Sequence, residues 1–278
     1  MAIATLWEKG RGVSSLSLLF ILLFLLSCGT EKNGWKLEWT EEFDGPVLDT
    51  TSWTRTSRGP NDWDNTMSLR EDLVRFEDGQ IVLLGKVNTD TLSDPSRFVS
   101  AGITTRGKRV FRLARFEIRA RFNSARGFWP ALWLLPQRDS TTVVQDYAEI
   151  DMMEHLNRDE FVYQTVHSSF SLHGHGDTPP HFTTTPVDPS TWNVYAVEVH
   201  PDSLCFFVNG AHTLTYPRID NQIDPAWNQF PFDSLLFSFI LSNQLGGGWV
   251  GPVEGSDLPT ELRIDWVKVF SRSSRKHR

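Results

Sequence analysis

Three carboxylates fall within six residues in the stretch Tyr147-Ala148-Glu149-Ile150-Asp151-Met152-Met153-Glu154-His155. Like charges crowded into one concave site cannot all ionise, so one carboxyl group keeps its proton and can serve as a general acid while another stays anionic. Glycoside hydrolysis divides labour in this way, and two carboxyl groups about 5–5.5 Å apart accompany its retaining form. On a β-strand alternate side chains share a face, which aligns Tyr147, Glu149 and Asp151 but sends Glu154 to the other side. A β-bulge at Met152-Met153, one extra residue that re-aims the side chains after it, would bring Glu154 back. Local propensity offers a competing reading. Ala148 to Leu156 is rich in helix formers, with Met152 and Leu156 at i, i+4, as in an amphipathic helix with solvated acids.

The element just before the acids, Gly127-Phe128-Trp129-Pro130-Ala131-Leu132-Trp133-Leu134-Leu135-Pro136, must help position them. As a strand it sets Trp129, Ala131 and Trp133 on one face, two flat aromatic plates around a small residue. Pyranose rings present apolar C–H faces that lie well on such plates; sandwich cores use Trp too. Together, Glu-Ile-Asp-Met-Met-Glu and the preceding Trp-Pro-Ala-Leu-Trp resemble the active-site signature of glycoside hydrolase family 16, the laminarinase, lichenase, agarase and endo-β-galactosidase group. Within it the likeness is to members with an extra residue before the second Glu, and it runs from Trp35 to Phe270.

The resemblance implies an all-β jelly-roll sandwich of two curved antiparallel sheets with a concave carbohydrate-binding cleft. It also implies retaining, endo-acting hydrolysis of internal β-1,3 or β-1,4 linkages of a glucan. Glu149 would be the nucleophile and Glu154 the acid/base, its pKa raised by anionic neighbours, with Asp151 tuning both. Glu117 and Arg119, on one face of the alternating run Phe111 to Phe122, would line the cleft floor and bind sugar hydroxyls. The strand Phe161 to Ser168 would bring Gln164 or His167 near the acid/base, and parity does not decide which. The stretch Phe237 to Trp249 resembles the far cleft wall, offering Gln244 and Trp249, and its glycines let backbone approach a ligand. Asp62-Trp63-Asp64-Asn65 departs from the family's common form at one cleft end, so Trp63 either stacks on sugar or fills a loop. An Asp placed like Asp265 would help hold a structural calcium, with a surface ion pair as the alternative. No cofactor is expected for catalysis.

The remaining features bound the setting. Lys9 and Arg11 precede a short apolar run, Leu16 to Leu26, too short to span a bilayer. It ends in Leu25-Leu26-Ser27-Cys28-Gly29, which resembles a bacterial lipoprotein cleavage site. The expected layout is a signal peptide at 1–27, lipidation at Cys28 with a tether to 34, a catalytic domain at 35–271 and a basic tail at 272–278. The protein would then be exported and held at the outer membrane or cell surface by its lipid alone, as a monomer. The only other cysteine, Cys205, reads as a buried core thiol. A net charge of −7 argues against a nucleic-acid partner, whose phosphates call for a basic face.

Three rival functions stay open. An endo-β-galactosidase acting on mucin O-glycans or agar-type galactans would share the signature. A non-catalytic carbohydrate-binding sandwich would share the fold. His167, His173, His175, Asp177 and His181 could instead bind the metal of a hydrolase.

Overall fold

The computed structural model describes residues 34–137, 147–173, 178–219 and 226–272. The expected signal peptide, Cys28, His175, Asp177 and the tail beyond 272 lie outside the described residues. The chain begins with β1 (Trp35–Glu41), β2 (Thr54–Arg55), β3 (Val74–Glu77), β4 (Gln80–Val87), β5 (Phe98–Ser100) and β6 (Gly102–Thr104). The longer strands β7 (Ala114–Phe122), β8 (Phe128–Pro136), β9 (Ala148–Glu154) and β10 (Phe161–Ser168) come next. After one helical turn, Ser169–Leu172, come β11 (Phe182–Pro186), β12 (Asn193–Val199), β13 (Ser203–Val208), β14 (Ala211–Pro217), β15 (Phe237–Leu245) and β16 (Thr260–Arg272).

These strands make two sheets. One runs β14-β13-β12-β7-β16-β4-β3, with β1 added on β16 and β5 on β4; the other runs β11-β10-β9-β8-β15-β6-β2. Neighbours pair antiparallel, as β7 with β16 and β8 with β15. This is the expected all-β sandwich. Its core lies between the sheets, where Phe116, Ile118, Leu132, Ile150, Val166, Val197, Phe239 and Val267 are buried in one cluster.

Strand parity follows from that core. On β7, Phe116, Ile118 and Ala120 are fully buried while Arg119 points out. Burying a Phe or Ile side chain is worth about 1.5–3 kcal/mol, against about 0–1 kcal/mol for an exposed ion pair, so the apolar set dictates which face turns inward. The same contest settles β9. Ala148, Ile150, Met152 and Met153 all enter the core, and this burial overrides the helix propensity of the segment.

The β7 result corrects one expectation. Glu117 and Arg119 sit on the sheet opposite the one that carries the acids, facing away from it. Arg115 donates to Glu117 Oε1 at 2.7 Å and to Glu198 Oε1 at 2.7 Å, and Arg119 pairs with Asp265 beneath the ring of Trp192. The register of β16 shifts between Ile264 and Trp266, a bulge that turns Asp265 outward toward Arg119. Of the two readings of Asp265 the structure carries the ion pair. A carboxylate already held by a guanidinium is a poor fit to calcium, which takes six to eight oxygen ligands.

Candidate active site

The acids occupy the outward face of the seven-stranded sheet. Across β8 the partners are Ala131 with Glu154, Leu132 with Met153, Trp133 with Asp151 and Leu134 with Ile150, so one β9 residue is extra at Met152. Across β10, Tyr163 pairs with Glu154 and Thr165 with Asp151, giving the same two-against-one count. The bulge therefore lies at Met152-Met153, and Glu149, Asp151 and Glu154 line one recess with Trp63, Trp129, Ala131 and Trp133. Glu154 and Glu149 face Tyr163 and His167, four residues apart on β10. Their backbones are thus roughly 13 Å apart at the usual rise of a strand, with Asp151 between.

Gln164 explains how the bulge is held, and its place decides between the two readings of β10. It is fully buried on the inner side of β10. Its Nε2 donates to the Met152 carbonyl at 3.0 Å, while its Oε1 accepts from Thr213 Oγ1 at 2.6 Å. A bulge leaves backbone groups without a ladder partner, and this amide supplies one. Gln164 does not reach the cleft; His167 does.

Each acid has a distinct setting. Tyr147 donates its hydroxyl to Glu149 Oε2 at 2.5 Å. Trp129 Nε1 donates to Glu154 Oε1 at 3.0 Å. Asp151 is 3% exposed, and its Oδ2 has no hydrogen-bond partner. Burial above all, with the charges of Glu154 and Glu149 adding, pushes Asp151 well above the ordinary carboxylate range. Burial likewise raises Glu154 to about 7; the Trp129 bond opposes the rise and the charge of Glu149 adds to it. Desolvation therefore outweighs the anionic neighbours to which the sequence reading assigned the shift. His167 Nε2 lies 3.4 Å from Asp151 Oδ2 and 4.0 Å from Glu149 Oε1. Burial, then the neighbouring His181, lower His167 to about 4, so at neutral pH these are contacts of a neutral imidazole and not ion pairs.

Aromatic groups form the walls. Trp63 and Trp133 meet edge to face at 4.8 Å and 81°, so Trp63 fills its loop while lining the recess. Trp249, 48% exposed, meets Trp129 at 5.3 Å and Tyr163 at 5.2 Å. Gln244 is buried and ties the Trp63 loop down, donating to Asn65 Oδ1 at 2.8 Å and accepting from Thr66 Oγ1 at 2.9 Å. Two cleft residues are not among the site residues the sequence singles out, although Ser242 lies within the stretch read as the far wall. Ser242 accepts from Trp133 Nε1 at 3.3 Å, and Tyr163 lies beneath Trp249. Parity would have found both, two residues before Gln244 and four before His167. The rival histidine loop is not assembled among the described residues: His173 stacks on Trp227 at 3.5 Å and turns Nδ1 to the Ser169 carbonyl.

Comparison with known proteins places this arrangement. The model of glycosyl hydrolases family 16 matches residues 62–267. A beta-glucanase of Rhodothermus marinus is 31% identical over 269 residues, covering 90% of this chain and 93% of that protein. A keratan-sulfate endo-1,4-beta-galactosidase of Sphingobacterium multivorum is 29% identical over 240 residues, covering 85% of this chain. The match spans only 55% of that longer relative. The crystal structure of the laminarinase from Rhodothermus marinus superposes with a TM-score of 0.74 at 28% identity, covering 86% of this chain and 98% of that one.

Proposed function

Because the chain belongs to glycosyl hydrolases family 16, we propose that it is an endo-acting, retaining β-glycosidase that cuts internal linkages of a glucan of the laminarin or mixed-linkage type. The observation that carries this reading is the bulge at Met152-Met153, which gathers Glu149, Asp151 and Glu154 on one face of one strand. Glu149, anionic and oriented by Tyr147, attacks the anomeric carbon while Glu154 passes its proton to the departing glycosidic oxygen. The resulting glycosyl ester is cleaved when Glu154, now a carboxylate, takes a proton from water, and the water oxygen displaces Glu149. A pKa of about 7 suits Glu154 to both halves of the cycle. Asp151 lies between them, its proton affinity raised by burial and by the charges of its two neighbours.

A galactan substrate is the second reading, supported by the likeness to the Sphingobacterium galactosidase. Export with a lipid on Cys28 belongs to the proposal as well and rests on Leu25-Leu26-Ser27-Cys28-Gly29. Purified protein is to be incubated with laminarin, barley glucan, agarose, keratan sulfate and mucin, and the products separated by size. Internal cleavage of the two glucans is the expected result, and cleavage confined to galactose-containing polymers would overturn it. Glu149→Gln should abolish turnover while leaving oligosaccharide binding intact; a near-normal rate would remove the nucleophile assignment and favour a different use of the sandwich.

A further inference from the structure

Glu149, Asp151 and His167 each offer one ligand-type atom, and the three atoms lie within 4.8 Å of one another. For zinc bound at about 2.0–2.2 Å by nitrogen and oxygen ligands in a tetrahedron, the ligand atoms stand roughly 3.3–3.5 Å apart. The edge from His167 Nε2 to Asp151 Oδ2 already has that length, 3.4 Å. The edge to Glu149 Oε1 is 4.0 Å and the edge between the two carboxylates is within 4.8 Å, so side-chain adjustments on the order of 1 Å would bring the three atoms to ligand spacing.

Asp151 is the second, independent sign. Its Oδ2 is buried, aimed into the group and without a hydrogen-bond partner, and an unsatisfied buried carboxylate oxygen is costly to leave unpaired. Tyr147 donates to Glu149 Oε2, and Glu149 Oε1 lies on the side of His167 at 4.0 Å from its Nε2. The side chains of Glu149 and His167 are 20% and 31% exposed, which provides an entry path. Two carboxylates and one imidazole, with room for a solvent ligand at the fourth corner, suit zinc or another borderline transition ion better than calcium or magnesium, which prefer all-oxygen shells of higher coordination number.

We infer that Glu149, Asp151 and His167 form a binding site for a divalent transition metal, with zinc as its test ion, whose occupation excludes glycoside turnover. The inference rests on the glycosidase reading for its second half only. A metal on Glu149 Oε1 removes the lone pair that would attack the anomeric carbon, so zinc would be an inhibitor relieved by chelation, opposite in sign to the metal of a hydrolase.

The test is a zinc titration of chelator-treated protein by calorimetry, without substrate, beside turnover assays on whichever polymer it cuts. One zinc should bind per chain, and turnover should fall with the same half-saturation and return on adding EDTA. Replacing a direct ligand should weaken zinc at least as much as losing an outer-shell partner, about 10–100-fold, so His167→Ala is expected to show such a loss. His173→Ala, whose ring faces Trp227 and the Ser169 carbonyl, should bind as the parent does. No stoichiometric binding, or undiminished binding by His167→Ala, would overturn the site. Binding that depends on His167 but leaves turnover untouched would overturn the exclusion and count against Glu149 as nucleophile. Activity lost on chelation and restored by zinc would overturn both.

Discussion

The hydrogen bond from Trp129 Nε1 to Glu154 Oε1, 3.0 Å long, opposes the burial that raises the proton affinity of Glu154. Trp129→Phe keeps an aromatic plate and deletes the donor. A hydrogen bond to a charged group contributes about 1.5–3 kcal/mol, and one pKa unit corresponds to about 1.36 kcal/mol. Losing the bond should therefore lift Glu154 from about 7 to roughly 8–9. Glu154 must be protonated for the first step, so its pKa sets the basic limb of kcat/KM in the free enzyme. That limb should move upward by one to two pH units, roughly, while the acid limb stays. If the indole also grips the sugar, its removal would lower the whole profile without displacing the limb. Stability gives a second reading of the same proton. The folded chain holds it up to about pH 7 whereas the unfolded chain releases it near 4.5, so stability should fall as pH rises through that window, by up to about 3 kcal/mol. In Trp129→Phe the fall should extend to higher pH. A basic limb that stays in place, or moves to lower pH, would refute the assignment of Glu154 as the proton donor.

Other perturbations test the scaffold. Deleting Met152 removes the extra residue and turns Glu154 to the opposite face; kcat should drop about 10²–10⁴-fold, the usual worth of a general acid, and a rate close to the parent's would sink the role given to the bulge. Arg119→Ala, by contrast, should leave kcat/KM essentially unchanged and cost about 0–1 kcal/mol in a denaturant melt, since its half-exposed partner Asp265 lies on the far sheet. A substantial loss of activity there would reinstate the cleft-floor expectation. Tyr195 is fully buried with no hydrogen-bond partner for its hydroxyl. Its change to Phe should hold or raise stability, by up to about 1–3 kcal/mol; a clear loss in urea unfolding would reveal a partner for the hydroxyl.

Much of the site was legible because period-two arithmetic applies wherever one face of a strand is buried. Trp129, Ala131 and Trp133 share a face as read, and the misfit of Glu154 to that arithmetic pointed to the bulge. What parity cannot supply is the sheet to which a strand belongs. Parity gives Glu117 and Arg119 the polar face of β7 but not the layer, since both sheets have a polar outer face and only long-range pairing with β12 and β16 tells them apart. Gln164 was ambiguous for a related reason. A buried amide and a cleft amide look alike in sequence until the carbonyl each must satisfy is known. Cys205 is half-buried on an outer face and not in the core, because Leu204, Phe206 and Val208 take the inward positions of β13.

All three acids ride on β9, so their mutual spacing is a property of one covalent ribbon and not of how separate segments dock. The Trp63 and Trp249 turns, tethered to each other where Gly248 N donates to Asp62 Oδ2 at 2.7 Å, belong to the rim and can be remodelled without disturbing that ribbon. Exchanging those turns should thus change which polymer is admitted while the anomeric configuration of the product stays the same. Stereochemical outcome and diet are inherited through different parts of this chain.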